Sequence, residues 1–138
     1  EEIQADPFRG SGTVHNPELE MVEARKNIDF FANLKAQMWW SLRMRFQNTY
    51  RALQGMQYDP DALISLSTED LDKRELEQLK RELSQPTYSK NGAGKILVNK
   101  QPDGALSPNR ADSVMICFSD IRERKRKKPA GAGSRTYQ

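Results

Sequence analysis

The sequence contains one cysteine, one histidine and no long apolar run. A lone Cys117 excludes a disulfide framework and a cysteine-based zinc site, and it fits a reducing compartment. With no second histidine to join it, His15 gives no imidazole cluster for a metal or a catalytic triad. No stretch approaches the roughly 20 apolar residues of a membrane-spanning helix. The beginning, "EEIQADPFRG", lacks the basic and apolar design of a signal peptide. A soluble, intracellular protein without a membrane role is therefore expected. Hydrophobic residues make up 36% and charged residues 30%, which suits one compact domain with polar ends. The chain opens without methionine and reads as a piece of something longer.

Charge is present but uneven. The net charge of +3 hides "RERKRKK" at 122–128, which carries six of the 22 basic residues; the remainder is slightly acidic. Two regions follow: a domain over 1–121 and a basic tail over 122–138. With almost no apolar residues, the tail cannot bury enough surface to offset the entropy of ordering, so disorder is expected. A solvated tail and a phosphate-binding tail are both open readings.

Residues 1–17 read as an extended piece, "EEIQADPF", then a glycine-containing loop, "RGSG". A short helix and a long one fill the chain to about Gln54. In the long one, Phe31, Leu34, Met38, Leu42, Phe46, Tyr50 and Leu53 recur at steps of three or four, and Gly55 ends it. Ile64 and Leu66 suggest a short strand after Pro60. Ser67 is placed to cap "TEDLDKRELEQLKREL", whose Leu71, Leu76, Leu79 and Leu83 face inward. "PTYSKNGAGKILVNK" predicts a β-hairpin turning at "NGAG". The last helix spans 108–119, with Ser107 as N-cap and Pro108 at its first position.

Most conspicuous residues have plain explanations. Trp39 and Trp40 point about 100° apart on a helix, so core packing outweighs a base-stacking platform. The "GAG" of 92–94 lacks the Lys-Ser/Thr and the helix of a phosphate loop, which leaves a hairpin turn. Asp112 is different. It falls inside the apolar arc of the last helix, among Ala111, Val114, Met115, Ile116 and Phe118, where an ionised carboxylate needs a partner. That partner is either a basic group or helix end nearby, or something functional.

The segment "SPNRADSVMICFSD" resembles the "SP-x-x-AD-(A/S)" helix that closes the nuclease domain of large terminase subunits, the DNA-packaging motors of tailed bacteriophages. Three other pieces fall in the same order as in that family: "FRGSG" as the glycine-bearing loop after a core strand, "NLKAQMWWSLRMRF" as its "N-K-R-A-E-M-W-W" helix, and "GKILVNK" as its hairpin. Together they cover roughly residues 5–120.

The resemblance implies an α/β, ribonuclease H-like nuclease fold, present here as its C-terminal part. Asp112 takes the place of the last acidic ligand of a two-metal site holding Mg²⁺ or Mn²⁺, and is the implied catalytic residue. Two such ions polarise a phosphodiester, activate water and stabilise the leaving oxygen. The other acids of the family lie upstream of the loop matched by "FRGSG", and so does the ATP-binding domain. This chain alone is therefore expected to be inactive as an endonuclease. Asp103 and Asp120 are weak substitutes. Lys90, Lys95, Lys100 and Arg110 are the expected DNA-binding cations, meeting phosphates without reading bases. Further implications are double-stranded viral DNA as substrate, the small terminase subunit and portal protein as partners, and the host cytoplasm as location. The alternative is a non-catalytic module that binds DNA or a packaging partner.

Overall fold

The computed structural model describes residues 7–119. The extended piece expected in "EEIQADPF", the basic tail and Asp120 lie largely or wholly outside that range. The elements are α1 (Asn27–Phe30), α2 (Leu34–Leu53), α3 (Lys73–Ser84), the hairpin strands β1 (Thr87–Lys90) and β2 (Ile96–Asn99), and α4 (Asn109–Phe118).

The central helix, α2, is fixed at both ends by local chemistry. Asn33 caps it, accepting from the Ala36 N–H. The N–H groups of Leu34 and Lys35 donate instead to the carbonyls of Gly12 (2.9 Å) and Gly10 (2.8 Å). The "RGSG" loop thus satisfies two first-turn donors that no helix can satisfy internally. Its glycines allow the approach, because a Cβ on Gly10 would lie 3.2 Å from Lys35 Cβ and one on Gly12 3.0 Å from the Arg9 carbonyl. At the other end Gly55 adopts a φ of 68°, Met56 N–H donates to Arg51 O and Gly55 N–H to Ala52 O. This left-handed termination is the one that Gly55 foretold.

The core lies against the first half of α2. Phe31, Leu34, Ala36, Met38, Trp39 and Leu42 pack with Ile96 and Val98 of β2 and with Ala111 and Met115 of α4. Strand β2 alternates, with Ile96 and Val98 buried, whereas every residue of β1 is exposed. The strands pair antiparallel with Lys90 opposite Ile96 and Thr87 opposite Asn99. Asn91 closes the turn by accepting from the N–H groups of Ala93 and Lys95. Trp40 stacks edge-on against Phe30 and Tyr88, with the Arg43 guanidinium 4.7 Å from its ring, so both tryptophans are packing residues.

Three sequence expectations need correction. The apolar stripe of α2 stops contributing halfway, for Phe46, Tyr50 and Leu53 are exposed: the helix outruns the core formed by β2 and α4. Ile64 and Leu66 form no strand. Asn48, Thr49 and Arg45 of α2 bind the backbone of residues 59–64, taking the groups that a ladder would have used. Ser67 does not cap α3; Asp72 does, in a reciprocal capping box with Glu75. The two-sided Asp72–Glu75 arrangement outcompetes a single serine five residues earlier.

Phe31, with 0% exposure, and Leu53, with 78%, belong to the same sequence stripe but to different environments. Phe31→Ala should cost about 3–5 kcal/mol in urea unfolding, and Leu53→Ala no more than about 0.5 kcal/mol.

Candidate functional site

Asp112 is the fourth residue of α4, and its own N–H donates to the Pro108 carbonyl at 2.8 Å. Ala111 and Met115 on either side of it are buried in the core, which draws its side chain inward to 19% exposure. Its carboxylate is met there by Lys100, the residue that follows β2. Lys100 Nζ lies 2.5 Å from Asp112 Oδ2, and the lysine side chain is itself only 25% exposed. A basic group from the open end of the hairpin is thus the direct partner of the carboxylate. Its other oxygen, Oδ1, is buried without a hydrogen-bond partner among the described residues.

The frame around this pair comes from α3. The expected Ser107 cap is not made: Pro108 takes the cap position and provides no side-chain acceptor. Glu82 of α3 replaces it, its Oε2 accepting from the N–H groups of Arg110 (2.7 Å) and Ala111 (3.0 Å). A carboxylate suits the positive end of the helix dipole. Gln85, just beyond α3, donates to the carbonyls of Lys100 and Leu106. Sequence reading passed over both residues. Glu82 did carry a signal, because three residues after Leu79 and beside Leu83 it is an acid inside an apolar arc, as Asp112 is.

The remaining candidates are spread out. Lys90 and Lys95 flank the hairpin turn, while Lys100 stands at the opposite end of β2, about 16 Å away at extended-strand spacing. Arg110 is 3.8 Å from Glu75, in an exposed pair. Asp103 sits exposed in a tight turn with φ 54° and does not join Asp112. The His15 backbone binds the buried Gln37 side chain, so its segment anchors a loop. Cys117 is exposed. Among the described residues there is no group of three His, Cys, Asp or Glu side chains that could hold a metal, and no helix long and apolar enough to cross a membrane.

Oxygen donors suit Mg²⁺ and Mn²⁺, and a buried carboxylate oxygen with no other partner fits as one ligand of such an ion. One carboxylate does not make a site, so Asp112 could only complete one built from further acids.

No family model matches the chain, and no curated protein does either. Solved structures do. The nuclease domain of the large terminase subunit gp2 of bacterial virus Sf6 is 34% identical over 80% of this chain, with a TM-score of 0.71. Variants of that domain solved with manganese and with calcium match at the same identity and coverage, each with a TM-score of 0.69. The chain belongs to the nuclease-domain family of bacteriophage large terminase subunits, and its helices and hairpin fit the expected α/β class. It spans about half the length of those solved chains, 50% of the first.

If the half-buried pair is coupled, Lys100→Met should lower stability by about 1–3 kcal/mol at neutral pH by leaving the carboxylate uncompensated. In the Asp112→Asn background the same change should cost clearly less, as read by a double-mutant cycle in urea. Losses that simply add would show that the two groups do not interact.

Proposed function

We propose that this chain is the C-terminal part of a terminase nuclease domain, and that Asp112 is the closing acidic ligand of a divalent-metal endonuclease site acting on double-stranded viral DNA. The observation that carries this reading is the Asp112 carboxylate itself: Oδ2 is held by Lys100, and Oδ1 is buried and unpartnered among the described residues. Related domains solved with manganese and with calcium agree with an oxygen ligand of this kind. A divalent pair at such a site supplies the positive charge that activates water and stabilises the leaving oxygen.

The chain's own residues have simpler tasks. Asp112 presents an oxygen from a rigid helix, and Lys100 fixes which oxygen that is. Lys90 and Lys95 lie at the turn of the hairpin and suit contact with phosphate oxygens, and Arg110 opens the helix that bears Asp112. The basic run at 122–128 adds a sequence-independent attraction to DNA. The remaining acids come from upstream strands in a longer protein. Under the same proposal, packaging proceeds in the host cytoplasm with a small terminase subunit and a portal protein as partners.

A second reading is favoured by one observation: the described residues hold no group of three His, Cys, Asp or Glu side chains that could bind a metal. On that reading the segment only docks DNA or a packaging partner. Manganese-dependent cleavage of plasmid DNA separates the two, using a protein that includes the upstream half of the domain. Asp112→Asn should reduce cleavage more than a hundredfold, beyond the roughly 10–100-fold typical of groups one step removed from a metal, with DNA affinity retained. Cleavage that survives Asp112→Asn would remove Asp112 from the site.

A further inference from the structure

Helix α3 and its C-cap residue each send a side chain to the backbone beside one half of the Lys100–Asp112 pair. Glu82, buried at 8% exposure, accepts from Arg110 and Ala111, the two residues that immediately precede Asp112. Its second oxygen accepts from Gln78 at 3.1 Å, so both oxygens are used and the side chain is held in one orientation. Gln85 donates to the carbonyl of Lys100 and, at 2.8 Å, to that of Leu106. The loop from Lys100 to Pro108 is thereby tied at two points to the helix that also caps α4.

We propose that Glu82 and Gln85 are positioning residues that set the register of Lys100 against Asp112 and so fix the direction of Oδ1. The proposal deepens the nuclease reading and rests on it. Its physical basis is the missing local cap. With Pro108 at the cap position, the first turn of α4 has no side-chain cap of its own, only the Ser107 carbonyl accepting from Asn109 N–H, and the N–H groups of Arg110 and Ala111 depend on Glu82. Asp112 is one residue beyond that turn's two bound N–H groups, so fraying reaches it directly. Lys100 sits in a loop segment whose neighbours include the left-handed Asp103 and Gly104, and Gln85 holds its backbone where the side chain can meet Oδ2. Glu82 and Gln85 are three residues apart at one end of α3, so one rigid element sets both sides of the contact.

The test reads the pair itself. In this chain, the ¹⁵N resonance of the Lys100 ammonium reports its contact with Asp112, and Asp112→Asn gives the value for the broken pair. Glu82→Gln and Gln85→Ala should each move the Lys100 signal toward that value. Glu82→Gln should also speed amide exchange at Arg110 and Ala111 about tenfold relative to α2, since one charge-assisted acceptor is lost. Should Glu82→Gln fail to fold, Gln85→Ala carries the test alone. In the protein that includes the upstream half, both variants should lower kcat for manganese-dependent cleavage by about 10–100-fold with little change in KM. An unmoved Lys100 signal in folded variants overturns the positioning role, whatever the nuclease result. Cleavage that persists in Asp112→Asn overturns the nuclease reading instead, and the Lys100 signal still decides the positioning claim.

Discussion

A carboxylate drawn into the apolar side of a helix costs free energy unless a charge or hydrogen bonds compensate it. In this protein the compensation is the Lys100–Asp112 pair, and the arrangement of the C-terminal half follows from it. The pair can form only if the open end of the hairpin and the first turn of α4 are brought together. Residues 101–108 must then make a tight reversal, with Asp103 and Gly104 both in the left-handed region. The tethers from α3 to Lys100, Leu106, Arg110 and Ala111 make that reversal rigid.

The other half of the fold provides the platform. Glycine carbonyls of the N-terminal loop and the Asn33 side chain fix the start of α2. The buried amides of Asn27 and Gln37 bind the backbone of residues 15, 16 and 21, which ties the irregular N-terminal segment to the helices. Phe31 and Ala32 also reach β2, where the Ala32 N–H donates to the Ile96 carbonyl. Because Ile96 and Val98 face the core and Lys100 follows at the next even step, hydrophobic register in β2 helps to decide where the ammonium goes.

Much of this was legible in the sequence, for identifiable reasons. The hairpin followed from "NGAG" between strand formers, the end of α2 from Gly55, and the need of the Asp112 carboxylate for a partner from its place in an apolar arc. The order of four short motifs pointed to the terminase family that the solved structures then supported. What could not be read depended on contacts distant in sequence. Glu82 caps a helix 28 residues away, and Asn48 and Thr49 satisfy the backbone that a strand at Ile64 would have needed. Lys100 was grouped with Lys90 and Lys95 because all three are basic and near one hairpin. Strand geometry puts them at opposite ends, and only Lys100 meets the carboxylate.

Under the proposed function Asp112 divides its duties, with one oxygen for Lys100 and the other for a cation. Anomalous diffraction from crystals of the upstream-extended domain soaked in Mn²⁺ measures this directly. Manganese is expected at coordination distance from Oδ1 while Lys100 stays on Oδ2. Manganese bound with no contact to Asp112, or bound only when Lys100 has been displaced from Oδ2, would contradict it.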